Sequence, residues 1–117
     1  MELDSYSFVL LRRPPDAPDL PEAELERLQQ QHLAHLDAMA ERGAMLFAGP
    51  FEHQPDEAWR GLCVYITPLE ETRELAESDP SVRAGRLAVD VFTWWTGKGA
   101  LESAFERVRR LERSASL

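Results

Sequence analysis

His32 occupies a position in this 117-residue chain that helical periodicity reserves for an apolar side chain. Leu25, Leu28, His32, Leu36 and Met39 recur at three- and four-residue spacing, which puts the imidazole within about 20° of the centre of one helical stripe. A polar ring facing a core needs a partner. Asp79 is the candidate, since it stands just before Pro80 at the end of a second expected helix that also packs inward. A histidine and a carboxylate brought together against a sheet form either a structural pair or an acid/base site. Burial disfavours the charged form of an imidazole and a neighbouring carboxylate favours it, so such pairs can be poised for proton transfer. The bland alternatives are a core histidine bonded to a backbone carbonyl and a turn carboxylate ahead of proline.

The other candidate groups carry weaker chemistry. His35 lies about 60° around the same helix, and a His-x-x-His pair can supply two metal ligands. No third ligand is specified by spacing, so the expectation is a boundary histidine and no metal. His53 falls in a polar loop. Gly49 and Pro50 end a short strand and are expected to shape the wall of a pocket, with Trp59 as a further contact for substrate. Phe92, Trp94 and Trp95 are expected to pack at an interface between copies of the chain. Cys63, the only cysteine, excludes an intrachain disulfide and reads as a small core residue. No nucleophile motif, phosphate loop or flavin fingerprint occurs, so the expected chemistry needs no cofactor.

Positioning these groups falls to a small set of elements. Apolar content of 44% suits one domain over residues 1–117 with a sizeable core. A net charge of -8 argues against nucleic acid and anionic membranes as partners. Arg107, Arg109, Arg110 and Arg113 gather on what reads as the solvated side of a last helix. Neither a basic leader nor a long apolar segment opens the chain, and a cytoplasmic protein is expected.

Residues 6–12 carry Phe8, Val9, Leu10 and Leu11 without interruption, the pattern of a strand buried on both faces. A proline-rich loop leads to a helix that Gly43 stops near Arg42. Strands are expected at residues 44–48, 61–67 and 87–95, the last apolar on both faces except for Asp90. A second helix spans about 68–78, opened by a Thr67-Pro68-Leu69-Glu70 capping box and ended before Pro80. Leu101, Ala104, Phe105, Val108 and Leu111 form the stripe of a terminal helix.

This order is βαββαβ plus one helix, an α+β ferredoxin-like unit with both connecting helices on one face of a four-stranded antiparallel sheet. The first and fourth strands would then expose an apolar face larger than a monomer usually carries. A homodimer, with the terminal helix adding to the interface or covering an edge, resolves this.

His32-Leu-Ala-His-Leu, Gly43, Ala48-Gly49-Pro50, Ser78-Asp79-Pro80 and Ala84-Gly85, in this order, resemble the YCII-related (YciI-like) family of the dimeric α+β barrel superfamily. The resemblance covers a core of about residues 6–95 and leaves a helical extension of about 99–113. It implies that His32 and Asp79 match the family's catalytic pair in a cleft of each subunit. Ser81 departs from the pattern, because relatives commonly place an aromatic residue there. Distant superfamily members include muconolactone isomerases and small monooxygenases, which implies small cyclic or aromatic molecules as ligands. The expected function is proton transfer on a small organic molecule, in isomerisation or elimination, with His32 as base or acid and Asp79 as its orienter. The alternative is a binding or sensory module that holds a ligand in the same cleft without turnover.

Overall fold

A computed structural model describes residues 1–115, and their side chains through residue 112. In chain order the elements are β1 (Leu3–Arg12), α1 (Glu22–Glu41), β2 (Met45–Pro50), β3 (Trp59–Tyr65), α2 (Leu69–Glu77), the single turn α3 (Pro80–Arg83), β4 (Ala88–Gly97) and α4 (Ala100–Ala115). The strands form one antiparallel sheet in the order β2-β3-β1-β4. This is the ferredoxin-like α+β arrangement that the element order implied.

Local chemistry explains the boundaries. Pro21 and Pro68 stand just outside α1 and α2, where a missing N–H costs nothing. Gly43 takes φ +80° after α1, the left-handed geometry that ends a helix. The capping box does not form: Thr67 Oγ1 bonds Thr72 Oγ1 at 2.6 Å instead, and Glu70 pairs with Arg73. Buried Thr72 has its hydroxyl within 3.0 Å of the carbonyls of Thr67 and Pro68, so the same groups tie the start of α2 by another route. Gly49 and Pro50 belong to β2 rather than closing it. Proline is tolerated there because β2 is an edge strand.

Alternation along the central strand sorts the two faces. Ser7, Val9 and Leu11 are buried under the helices, and Val9 is flanked in register by Cys63 and Val91. Met39, Met45, Tyr65, Ala76 and Leu87 complete that core. Tyr6, Phe8 and Leu10 point the other way, with Phe8 stacked 5.0 Å from Phe92 and 6.3 Å from Trp94. Helix α4 crosses part of this second face, since Phe105 meets Phe47 edge-on at 5.9 Å. Asp90 is neutralised by Arg12, Nε to Oδ2 at 2.6 Å. Much of the second face stays open: Phe92 is 46% exposed, and Val108 and Leu111 on α4 are more so. Arg107, Arg109 and Arg110 are exposed, whereas the Arg113 side chain lies outside the described residues.

Candidate active site

His32 reaches its position because α1 lays its apolar stripe on the sheet, and Asp79 because Pro80 forces a break between α2 and α3. Extended geometry at Asp79 (φ -58°, ψ 127°) makes it the N-cap of α3. One carboxylate oxygen, Oδ1, accepts from Ser81 N at 2.9 Å. The other, Oδ2, accepts from His32 Nδ1 at 2.5 Å, across 47 positions of sequence. Both groups are deeply placed, Asp79 at 2% and His32 at 8% exposure. Ser81 is buried beside them, its hydroxyl 3.4 Å from the Leu28 carbonyl of α1, so it braces the α1–α3 junction.

When Asp79 is ionised its carboxylate only accepts, so Nδ1 carries the proton of this bond, and in a neutral ring the lone pair is then on Nε2. Among the described residues His32 Nε2 bonds to no protein group, and the one buried side-chain polar atom without a partner is Nε2 of His35. His32 Nε2 therefore opens onto the cavity that the ring lines. That cavity has a volume of about 530 Å³, in the range of small-molecule sites. Leu33 and Leu36 of α1, Ala48 to Pro50 of β2 and Leu87 wall it, and Arg13 and Arg60 stand at the end where β1 stops and β3 begins.

Neighbouring groups feel both burial and the carboxylate. Burial, with a contribution from Asp79, pushes the Cys63 thiol up to about 12. Tyr65 is pushed up as well, first by burial and then by Cys63 and Asp79. His35 is held below its ordinary value of 6.5 by burial, which outweighs the pull of Asp79, while His32 lowers it further. His35 and His32 gather no third ligand: no group of three or more His, Cys, Asp or Glu among the described residues is arranged to hold a metal ion. His53 is solvent-exposed, near Glu52.

Of the residues expected in the pocket, His32, Gly49 and Pro50 line it and Asp79 backs it, but Trp59 does not. The cause is a β-bulge. Leu11 pairs with Gly61 whereas Arg12 pairs with Trp59, so Arg60 is the extra residue. That slip leaves Trp59 beside Arg12 on the far face and brings Arg60 to the cleft, next to Gly61, which is in regular register with Leu11. Phe92, Trp94 and Trp95 also lie outside the cleft. Gly61 is the glycine that the wall requires, because a Cβ there would stand 2.6 Å from the Gly49 carbonyl oxygen. A glycine inside a strand signals such an approach, and this was the available clue. Arg13 and Arg60 gave no sequence signal beyond their charge.

A family model described as the YCII-related domain matches residues 8–95. No curated protein matches the chain. Among solved structures, the chain is similar to 5-chloro-2-hydroxyhydroquinone dehydrochlorinase from Burkholderia phenoliruptrix in complex with 2,5-dihydroxybenzoquinone. The two share 23% identity at a TM-score of 0.51, over 79% of this chain and 96% of that one. That likeness concerns the fold. No described helix is long and apolar enough to cross a membrane.

Proposed function

The chain belongs to the YCII-related domain family, and from that membership and the geometry of its cleft we propose that it is a small enzyme moving protons on a small cyclic organic molecule. His32 Nε2 acts as general base. It takes a proton from a C–H or O–H adjacent to the carbon bearing a leaving group. The electron pair released forms the new double bond, and the leaving group departs with its bonding pair. The imidazolium produced is stabilised by Asp79, which also holds the ring in the required tautomer, and His32 then releases the proton to the departing group or to water. The same geometry serves isomerisation when the proton is returned to another atom of the substrate. Elimination is the better-supported form, because the similar solved structure is named for a dehydrochlorination.

One observation carries this reading above the others: a buried carboxylate spends one oxygen on a backbone N–H and the other on Nδ1, and so leaves Nε2 as the only ring nitrogen open to the cavity. The enzyme acts as one domain and as a homodimer, the second copy covering the open sheet face. Turnover is tested on halogenated and hydroxylated cyclic compounds, starting with 5-chloro-2-hydroxyhydroquinone and following chloride release. A positioned base contributes about 10²- to 10⁴-fold, and His32→Gln is expected to lose that factor. Asp79→Asn, which reverses the bond to Nδ1, should lower kcat more than it raises KM. Full activity in His32→Gln would falsify the proposal. Saturable binding without turnover across the whole series would favour the binding-module alternative.

A further inference from the structure

Acidic residues outnumber lysine and arginine by 21 to 13 in this chain, yet among the described residues only Arg12, Arg73 and Lys98 pair with a carboxylate, with Asp90, Glu70 and Glu2. Arg13, Arg60 and Arg86 are among the cations left without one, and what sets these three apart is that they stand close to one another. Among the described residues no carboxylate oxygen lies within 4.0 Å of any of the three. They bond backbone carbonyls instead: Arg13 Nε donates to Arg86 at 3.1 Å, Arg60 Nη1 to Glu57 at 3.2 Å and Arg86 Nη1 to Pro18 at 2.9 Å. These bonds leave both terminal nitrogens of Arg13, and Nε and Nη2 of Arg60, without an acceptor. Two of the three, Arg13 and Arg60, line the same cavity as His32.

Their placement follows from the chain trace. β1 ends where β3 begins, the Arg13 amide donates to the Ala58 carbonyl at 2.7 Å, and the bulge swings Arg60 into the cleft. Like charges brought together in a half-buried setting repel, and Arg13 registers it: burial first, then Arg86 and Arg60, lower its affinity for its proton. The acidic group in the lining is Asp37, five residues beyond His32 on α1 and so about 7.5 Å further along the helix axis, towards the Met45 end. The cavity is thus graded, with cations at one end and apolar walls of Leu33, Leu36 and Leu87 between.

We infer that Arg13 and Arg60 form an anion subsite in the His32 cleft, and that the substrate is a small organic acid whose carboxylate they clamp while its apolar body lies against Leu33, Leu36 and Leu87. Guanidinium and carboxylate match as planar forks, which gives both strength and orientation. The inference rests on the reading of the cleft as a substrate site and adds the class of substrate to it.

The test uses the intact protein with benzoate and its uncharged counterpart benzamide, followed by calorimetry and by the ring signals of His32. Charge-assisted hydrogen bonds predict that benzoate binds saturably and about tenfold or more tighter than benzamide. Arg60→Gln, an exposed substitution that spares the core, should remove that difference, and Arg13→Lys, which keeps the charge but not the fork, should reduce it. Equal binding of the two probes, no saturable response to benzoate, or unchanged benzoate binding in Arg60→Gln overturns the inference. Inorganic phosphate displacing benzoate at equal concentration overturns the assignment to an organic acid. The calorimetry is repeated in His32→Gln. There, a retained dependence on Arg60 supports the subsite even where the acid–base reading has failed. Its absence there, when His32→Gln has shown the loss of turnover that the base role predicts, overturns the subsite alone.

Discussion

The two faces of the sheet solve the same problem to different degrees. Under α1, α2 and α3, nearly every inward side chain finds cover: Val9, Cys63 and Tyr65 are within 2% of full burial, and the polar groups among them, His32, Thr72, Asp79 and Ser81, bond to one another or to backbone. On the other face α4 crosses only part of an aromatic surface, and its own stripe of Phe105, Val108 and Leu111 is largely exposed. The contrast teaches that the chain completes one core by itself and presents the other for completion. Chemistry is on the completed side. A site that depends on a hydrogen bond between α1 and the start of α3 needs a rigid frame, and only that face provides one.

The sharpest break of this contrast is Asp79→Ala. It strands His32 Nδ1 and the Ser81 amide in a dry setting, and a cost of about 3 kcal/mol is expected in urea unfolding. A cost below 1 kcal/mol would mean that water already reaches the pair and that the helix-covered face is less complete than it looks. Next comes the wall of the cleft. Gly61→Ala places a methyl against the Gly49 carbonyl, so β2 must shift, at about 2 kcal/mol and with loss of ligand affinity. Gly49→Ala meets nothing within 4 Å and should change stability by no more than about 0.5 kcal/mol.

Titration probes the same core more gently. Cys63 and Tyr65 hold their protons in the folded state at a pH where the unfolded chain releases them, so stability falls as pH rises above about 9, the ordinary thiol value. His35 has the opposite sign. Its folded form resists protonation, so its contribution is full above pH 6.5 and is lost as pH falls below that value. Urea midpoints measured across pH should trace both flanks, and Cys63→Ala should soften the alkaline one. The smallest effect on chain stability belongs to the open face. Phe92→Ser with Val108→Ser should change it by about 0.5 kcal/mol or less at each site, while sedimentation shifts from dimer to monomer. A wild-type chain that sediments as a monomer at every concentration would refute the covering role given to the second copy.

Much of the completed face was legible in the sequence. Helical spacing marks His32 as out of place, and proline after Asp79 marks a break, so both members of the pair can be found without coordinates. Element order and sheet topology follow from apolar runs and glycine or proline stops. What escaped is register. Trp59 and Arg60 differ by one step along a strand, and a bulge that no local signal announces decides which of them meets the cleft. The Thr67 capping box failed for a related reason, since the hydroxyl found a partner in Thr72, a contact that depends on how the helix start is seated. Arg13 and Arg60 are ordinary charges in the sequence and become a pair only when β1 and β3 lie side by side.

The hydrogen bond between His32 and Asp79 joins residues 47 positions apart and belongs to the junction of α1 with α3, not to either helix alone. It can exist only after the second half of the chain has docked on the first. Any excursion that lifts α3, a single turn, would disarm the imidazole while the sheet stays intact. Activity should therefore fade on warming before global melting begins, which makes catalysis a more sensitive thermometer of this junction than any spectroscopic measure of helix or strand.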